Sequence, residues 1–219
     1  MNTVIKFGWT IVVTSLLFMI VGHFGSHDLS WTSSQISTYA ATSPLDYFVT
    51  TAMLLSALSL LIVGLLASKY KVLGNSYMAN IVPALSGAAA SGLVILTLYE
   101  ETAPTRRVLR ELGFRAVRVQ SFHDAGLQIF FYSSLLLVIL TGILCFISSK
   151  TMTSKILSGV LFGMGPLSFF LSSSAWPRYL GFQGGIGGLK QRAGLFCLWL
   201  AVVLFLKLVS DKSFKQNAK

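Results

Sequence analysis

His23 and His27 stand four residues apart with Asp28 beside the second, and His123 is followed directly by Asp124. On a helix that continues through residue 27 the two imidazoles would share a face, because positions i and i+4 lie one above the other. Joined by His123 they would make a three-histidine set of the kind that takes Zn²⁺, with Asp124 or Asp28 as a further ligand or as the group that orients an imidazole. That chemistry points to a metal-dependent hydrolase acting on lipid. Gly22 and Gly25 pull the other way, since a helix ending at either would undo the spacing, and each histidine would then hydrogen-bond locally.

A second chemistry is carried by arginine. Between Glu100 and Asp124, Arg106, Arg107, Arg110, Arg115 and Arg118 are interleaved with Val108, Leu109, Leu112, Ala116 and Val119. Residues 108, 112, 116 and 119 recur at helical spacing, so the segment reads as an amphipathic helix, opened by Pro104 and Thr105 and weakened at Gly113. Lying on a membrane surface, such a helix would set its arginines against lipid phosphates. In a sharper reading, Arg106, Arg107 and Arg110 clamp an anionic headgroup or phosphorylated ligand, for which the planar guanidinium fork is suited. A third polar run leads from Arg178 through Gly184, Gly185, Gly187 and Gly188 to Lys190 and Arg192, and places four glycines before a helix whose first amides could receive an anion. It carries no phosphate-loop consensus.

The elements that must position these residues are membrane spans. A run of about 17–25 mostly apolar residues crosses a hydrocarbon core of about 30 Å, and six such runs are expected, at about 5–24, 47–67, 77–99, 127–148, 156–175 and 193–209. With 54% hydrophobic and 11% charged residues, and a mean hydropathy of +0.73, the chain is too apolar for an ordinary soluble domain. The runs do not alternate as β-barrel strands do. The expected fold is therefore all-α: one polytopic domain over residues 1–219, a bundle of six transmembrane helices with an interfacial amphipathic helix in the second outer connection. Lys6 precedes the first run, but His23, Phe24 and His27 stand where a signal peptide would need small residues, so this run is expected to remain as an anchor.

Laid over these spans, the charges segregate. One side holds Lys6, Lys69, Lys71, Lys150, Lys155, Lys207, Lys212, Lys215 and Lys219 against Asp211, a net +8. The other holds all seven arginines and Lys190 against Asp28, Asp46, Glu100, Glu101, Glu111 and Asp124, a net +2. The positive-inside tendency places the lysine side, with both termini, in the cytoplasm of a cell (inner) membrane. No span has a charge in its middle, which leaves nothing to mark a transport pathway. In the third span, Gly87 with Ser91 and Ala88 with Gly92 form small-xxx-small pairs, so that helix is expected to sit centrally. Gly163, Gly165 and Pro166 in the fifth admit two readings, a kink, which is favoured, and an ion site. Cys145 and Cys197 fall at opposite depths, too far apart for a disulfide.

Ile36-Ser37 followed by Ala40-Ala41-Thr42-Ser43-Pro44, Phe122-His123-Asp124-Ala125-Gly126 at the opening of a span, and Gly187-Gly188-Leu189-Lys190-Gln191-Arg192 before a Leu/Trp-rich final helix resemble the bacterial and archaeal membrane family known as domain of unknown function 998. The resemblance runs over nearly the whole chain. It implies six transmembrane helices and draws the Ser37 segment, His123 and Arg192 to one outer face, but it implies no reaction.

Two functional expectations follow, with a third behind them. The favoured one is a non-enzymatic integral membrane protein whose Arg106, Arg107, Arg110, Arg178, Lys190 and Arg192 bind an anionic lipid headgroup or a partner protein, as a subunit of a membrane complex in one version. The alternative is the lipid hydrolase with His23, His27, His123 and Asp124 at a metal. A small-molecule transporter stands third. Membrane lipids are the expected partners and nucleic acid is not. No cofactor is expected, and Zn²⁺ is the ion the three-histidine reading would admit.

Overall fold

A chain inside lipid must satisfy its own backbone polar groups, and a helix does so within a single segment. In a computed structural model of the protein, which describes residues 3–24, 36, 46–69, 78–99, 114–173 and 187–210, the apolar runs form six helices. They are α1 (Thr3–Phe24), α2 (Asp46–Lys69), α3 (Met78–Leu98), α4 (Phe114–Ser148), α5 (Met152–Ser173) and α6 (Gly187–Ser210). Each contains a stretch long and apolar enough to cross a membrane, and no strand occurs among the described residues. The molecule is an all-helical, multi-pass membrane bundle.

Five of the six expected spans begin within six residues of the observed helices, and the larger departures have local causes. α5 starts at Met152 rather than near 156 because Thr151 caps it: its Oγ1 accepts the Ser154 N–H at 3.2 Å and so satisfies one of the helix's orphan donors. α4 starts at Phe114, well before the expected 127, and its 35 residues reach about 52 Å at 1.5 Å per residue. Only the part within lipid has to be apolar, so Arg115 and Arg118 ride on a continuous extension of the span. The expected amphipathic helix thus divides: residues 100–113 lie outside the described residues, and from Phe114 onward its sequence is the first part of α4.

Consecutive helices pack side by side and antiparallel, and α6 additionally meets α1, α2 and α4. The contact between α2 and α6 closes α2–α6 into a five-membered ring, and α1 lies outside it against α2 and α6. The end where α2, α4 and α6 begin carries Arg115, Arg118 and Arg192; the opposite end carries Lys6, Lys69, Lys150, Lys155 and Lys207. These are called the arginine end and the lysine end below.

Helix association in lipid relies on close packing rather than on hydrophobic segregation, and two crossings show how sequence permits it. At α3/α4, a Cβ on Gly92 would collide with the backbone of Phe130 and Gly126, and one on Gly126 would stand 3.0 Å from the Gly92 carbonyl oxygen. At α4/α5, a Cβ on Gly142 would come within 2.5 Å of the Phe162 nitrogen. Gly87 behaves differently, with nothing within 4 Å of the position its Cβ would take. Of the two small-residue pairs in α3, only the one ending at Gly92 meets another backbone.

The expectation that α3 sits centrally is corrected. α2 and α6 are the most enclosed spans, 61% and 56% buried against 44% for α3. Small residues report how closely two backbones approach, not how many neighbours surround a helix. A polar knot joins the central pair to α1. Trp199 Nε1 donates to Ser56 Oγ at 3.0 Å, and Ser56 and Ser15 hydrogen-bond each other and the Ala52 carbonyl, each at 2.8 Å. Toward the lysine end the ring is filled by Leu60, Leu137, Leu161 and Phe205, all essentially fully buried. Cys145 and Cys197 are free thiols, both buried.

Candidate functional site

Toward the arginine end the ring is not filled. A cavity of about 300 Å³ lies among α2–α6, roofed in part by Ile36, and no residue of α1 reaches it. Its size is at the lower end of small-molecule sites. Along α4 its wall runs from His123 to Val138, about 22 Å at 1.5 Å per residue, while along α5 and α6 it covers Met164–Ser172 and Gln191–Leu198, about half that length. The lining is mostly apolar, with Leu93, Phe130 and Leu195 among the larger side chains. No charged side chain among the described residues lines it.

His123 is the only ionisable lining group among the described residues. It is 4% exposed, and its Nδ1 lies 2.8 Å from the Tyr99 carbonyl oxygen at the end of α3. A carbonyl can only accept, so Nδ1 carries the proton, and Nε2 is the acceptor of that tautomer. The neighbouring Phe122 ring stacks on Tyr99 at 4.9 Å, which holds the two helix ends in register. The Gly92/Gly126 crossing, one turn from His123, fixes the distance between α3 and α4 that this bond requires.

Hydroxyls supply most of the remaining lining polarity, and their protons are committed. Ser134 donates to the Phe130 carbonyl, Ser168 to the Gly194 carbonyl at 3.0 Å, and Ser56 belongs to the knot with Ala52, Ser15 and Trp199. Ser172, near the end of α5, makes no hydrogen bond to the described residues. At the mouth, Gln191 Oε1 accepts the Ile36 N–H at 2.9 Å and so ties that residue of the 25–45 segment to the start of α6.

The sequence-predicted site residues separate into groups. His123 lies in the cavity wall, while Asp124, next to it on α4, is exposed. His23 sits at the end of α1 with Nδ1 2.6 Å from the Met19 carbonyl oxygen. Arg192 lies near enough to act electrostatically on it. Gln191 therefore turns to the cavity and Arg192, about 100° farther round α6, turns toward α1. Lys190 and Arg192 are both half-buried on the first turns of α6. His27, Arg106, Arg107, Arg110 and Arg178 lie outside the described residues. Among the described residues no three His, Cys, Asp or Glu lie close enough together to hold a metal.

Sequence reasoning missed Ser56, Ser134, Ser168 and Gln191. It searched the spans for charge, and the signal was neutral: hydroxyls and an amide within apolar runs. Such groups need partners in lipid and so face other helices or an internal space.

No protein-family model, curated protein or solved structure matches this chain. The likeness to domain of unknown function 998 thus rests on the short motifs that carry it.

Proposed function

We propose that this protein binds a membrane amphiphile, with the apolar chain in the cavity and the headgroup at the arginine end. The observation that carries the reading is the cavity itself: apolar, running along α4, closed toward the lysine end by Leu60, Leu161 and Phe205, and furnished with polar groups near its mouth. Its wall on α4 extends about 22 Å, more than half of a hydrocarbon core of about 30 Å, so it suits a chain entering from one leaflet. The lysine excess supports an outward-facing arginine end, which makes that leaflet the outer one. Lys190 and Arg192, with Arg106, Arg107, Arg110 and Arg178 of the connecting segments, have the chemistry to hold a phosphate-bearing headgroup there. The role is one of binding, and the apolar filling of the ring does not favour a transport path.

The test is to fill the cavity. Val138 and Ser134 are buried lining residues, and Val138→Phe with Ser134→Leu should lower co-purifying lipid severalfold, as read by mass spectrometry of the extracted protein. Val160→Phe, at a position 42% exposed on α5, serves as the control and should change nothing. Equal lipid retention in the filled and control variants would refute the reading.

A further inference from the structure

We infer that the cavity's ligand is a single-chain amphiphile bearing a free hydroxyl where its chain meets its headgroup, and that this hydroxyl donates to Nε2 of His123. The inference rests on the chain-in-cavity reading and adds the chemistry of the ligand's polar junction.

Three observations converge on it. The first is depth: His123 is followed by the charged Asp124 and stands just before the apolar run 127–148, at the membrane boundary where a lipid's chain gives way to its headgroup. The second is the direction of the hydrogen bonds. His123 is nine-tenths buried, its Nδ1 is committed to the Tyr99 carbonyl, and Nε2 has no partner among the described residues. An acceptor in the wall of an otherwise apolar cavity is one that a ligand donor can satisfy. The hydroxyl protons of Ser56, Ser134 and Ser168 are spent within the protein, so the deeper wall has none to offer a ligand's acceptors.

The third observation concerns what fits. The junction of a two-chain diester phospholipid offers ester oxygens, which are acceptors, and would meet Nε2 lone pair to lone pair. A cavity of about 300 Å³ also suits one chain better than two. The absence of charge in the described lining excludes an ionised headgroup from the interior, where it would be desolvated without a counter-ion. The charged part must remain at the mouth, where the Ser172 hydroxyl is available to donate to a headgroup oxygen. A lysophospholipid, with one acyl chain, a free sn-2 hydroxyl and a phosphate, has each feature in the required order.

The probes are 1-myristoyl lysophosphatidic acid and its 2-deoxy analogue, which share chain, phosphate and bulk and differ only in the donor. Binding to the full-length protein in phosphatidylcholine nanodiscs is measured by native mass spectrometry. A site built around a hydrogen bond rejects the analogue lacking the donor, and the hydroxyl form should bind about tenfold more tightly to the wild type. His123→Phe should bring the two affinities together. Equal affinity in the wild type, with both probes still lost in Val138→Phe, would overturn the hydroxyl inference and leave the chain reading intact. Retention of both probes in Val138→Phe would overturn the chain reading and this inference with it. The wild-type comparison needs no variant, so a poorly folding His123→Phe does not remove the test.

Discussion

Gly87 and Gly92 lie in the same helix and look alike in sequence, yet alanine should affect them oppositely. Both substitutions gain the same intrinsic term, since alanine exceeds glycine in a helix interior by about 0.5–1 kcal/mol. At Gly87 the new methyl meets nothing within 4 Å, and that gain should appear as measured. At Gly92 it would meet the Phe130 nitrogen and Cα and the Gly126 carbonyl, with the last two at 2.8 Å. These are backbone atoms of α4, so no rotamer change relieves the overlap and the helices must move apart. Overpacking of this kind costs about 1–3 kcal/mol, and because the helix term is common to both, that range is the expected difference between the variants. Gly126→Ala should fall between them, since its contacts, Ile95 Cγ2 at 2.8 Å and the Gly92 carbonyl oxygen at 3.0 Å, overlap less than the approach to the Phe130 nitrogen at Gly92. Equilibrium unfolding in mixed detergent micelles reads the order Gly87→Ala, Gly126→Ala, Gly92→Ala from most to least stable. Equal stability of Gly87→Ala and Gly92→Ala would refute the α3/α4 crossing. That crossing also sets the bond between His123 and Tyr99, so Gly92→Ala should weaken lipid retention along with stability.

Other expectations follow from the same geometry. Trp199→Phe and Ser56→Ala each break the bond between α2 and α6 and should each cost about 1 kcal/mol, while the double variant should cost less than their sum, as read by a double-mutant cycle. Reporter fusions at residues 72 and 110 should report cytoplasmic and extracytoplasmic sides respectively; the same compartment for both would contradict the even alternation of six spans. If the arginines recognise phosphate through their forked donors, Arg106→Lys with Arg110→Lys should preserve folding and charge but lower co-purifying anionic lipid. Unchanged lipid with a lower melting temperature would indicate instead that these arginines fasten loops to acids. The purified protein should lack stoichiometric Zn²⁺; finding it, and losing it in His123→Ala, would favour the hydrolase alternative.

The spans were legible because lipid imposes a length and an apolarity that any twenty-residue window reports. Their ends were less so. Thr151 starts α5 through one side-chain bond, and α4 runs on through Arg115 and Arg118 because a helix outside lipid needs no apolar run. The small residues of α3 announced close packing, but which of Gly87 and Gly92 meets a neighbour depends on the rotation of α3 against α4, which the motif does not encode. His123 was legible as a polar residue at a membrane boundary, although its partner proved to be the Tyr99 carbonyl. The cavity was not legible, because an unfilled space arises from the shapes of five helices together and leaves no local pattern in any one of them. Its hydroxyls and Gln191 were visible in the sequence, but the direction each faces comes only with the fold.

The central claim is that a lipid chain occupies the ring, and Trp199 is placed to report it. It is buried at the cavity's deep end, bonded to the lining residue Ser56 and next in sequence to the lining residue Leu198. With Trp9, Trp31 and Trp176 replaced by Phe, an amphiphile brominated near its chain end should quench Trp199 fluorescence saturably at low mole fraction in nanodiscs, and Val138→Phe should abolish the saturable phase. Quenching that grows only in proportion to the bulk mole fraction, and is the same in Val138→Phe, would contradict the account.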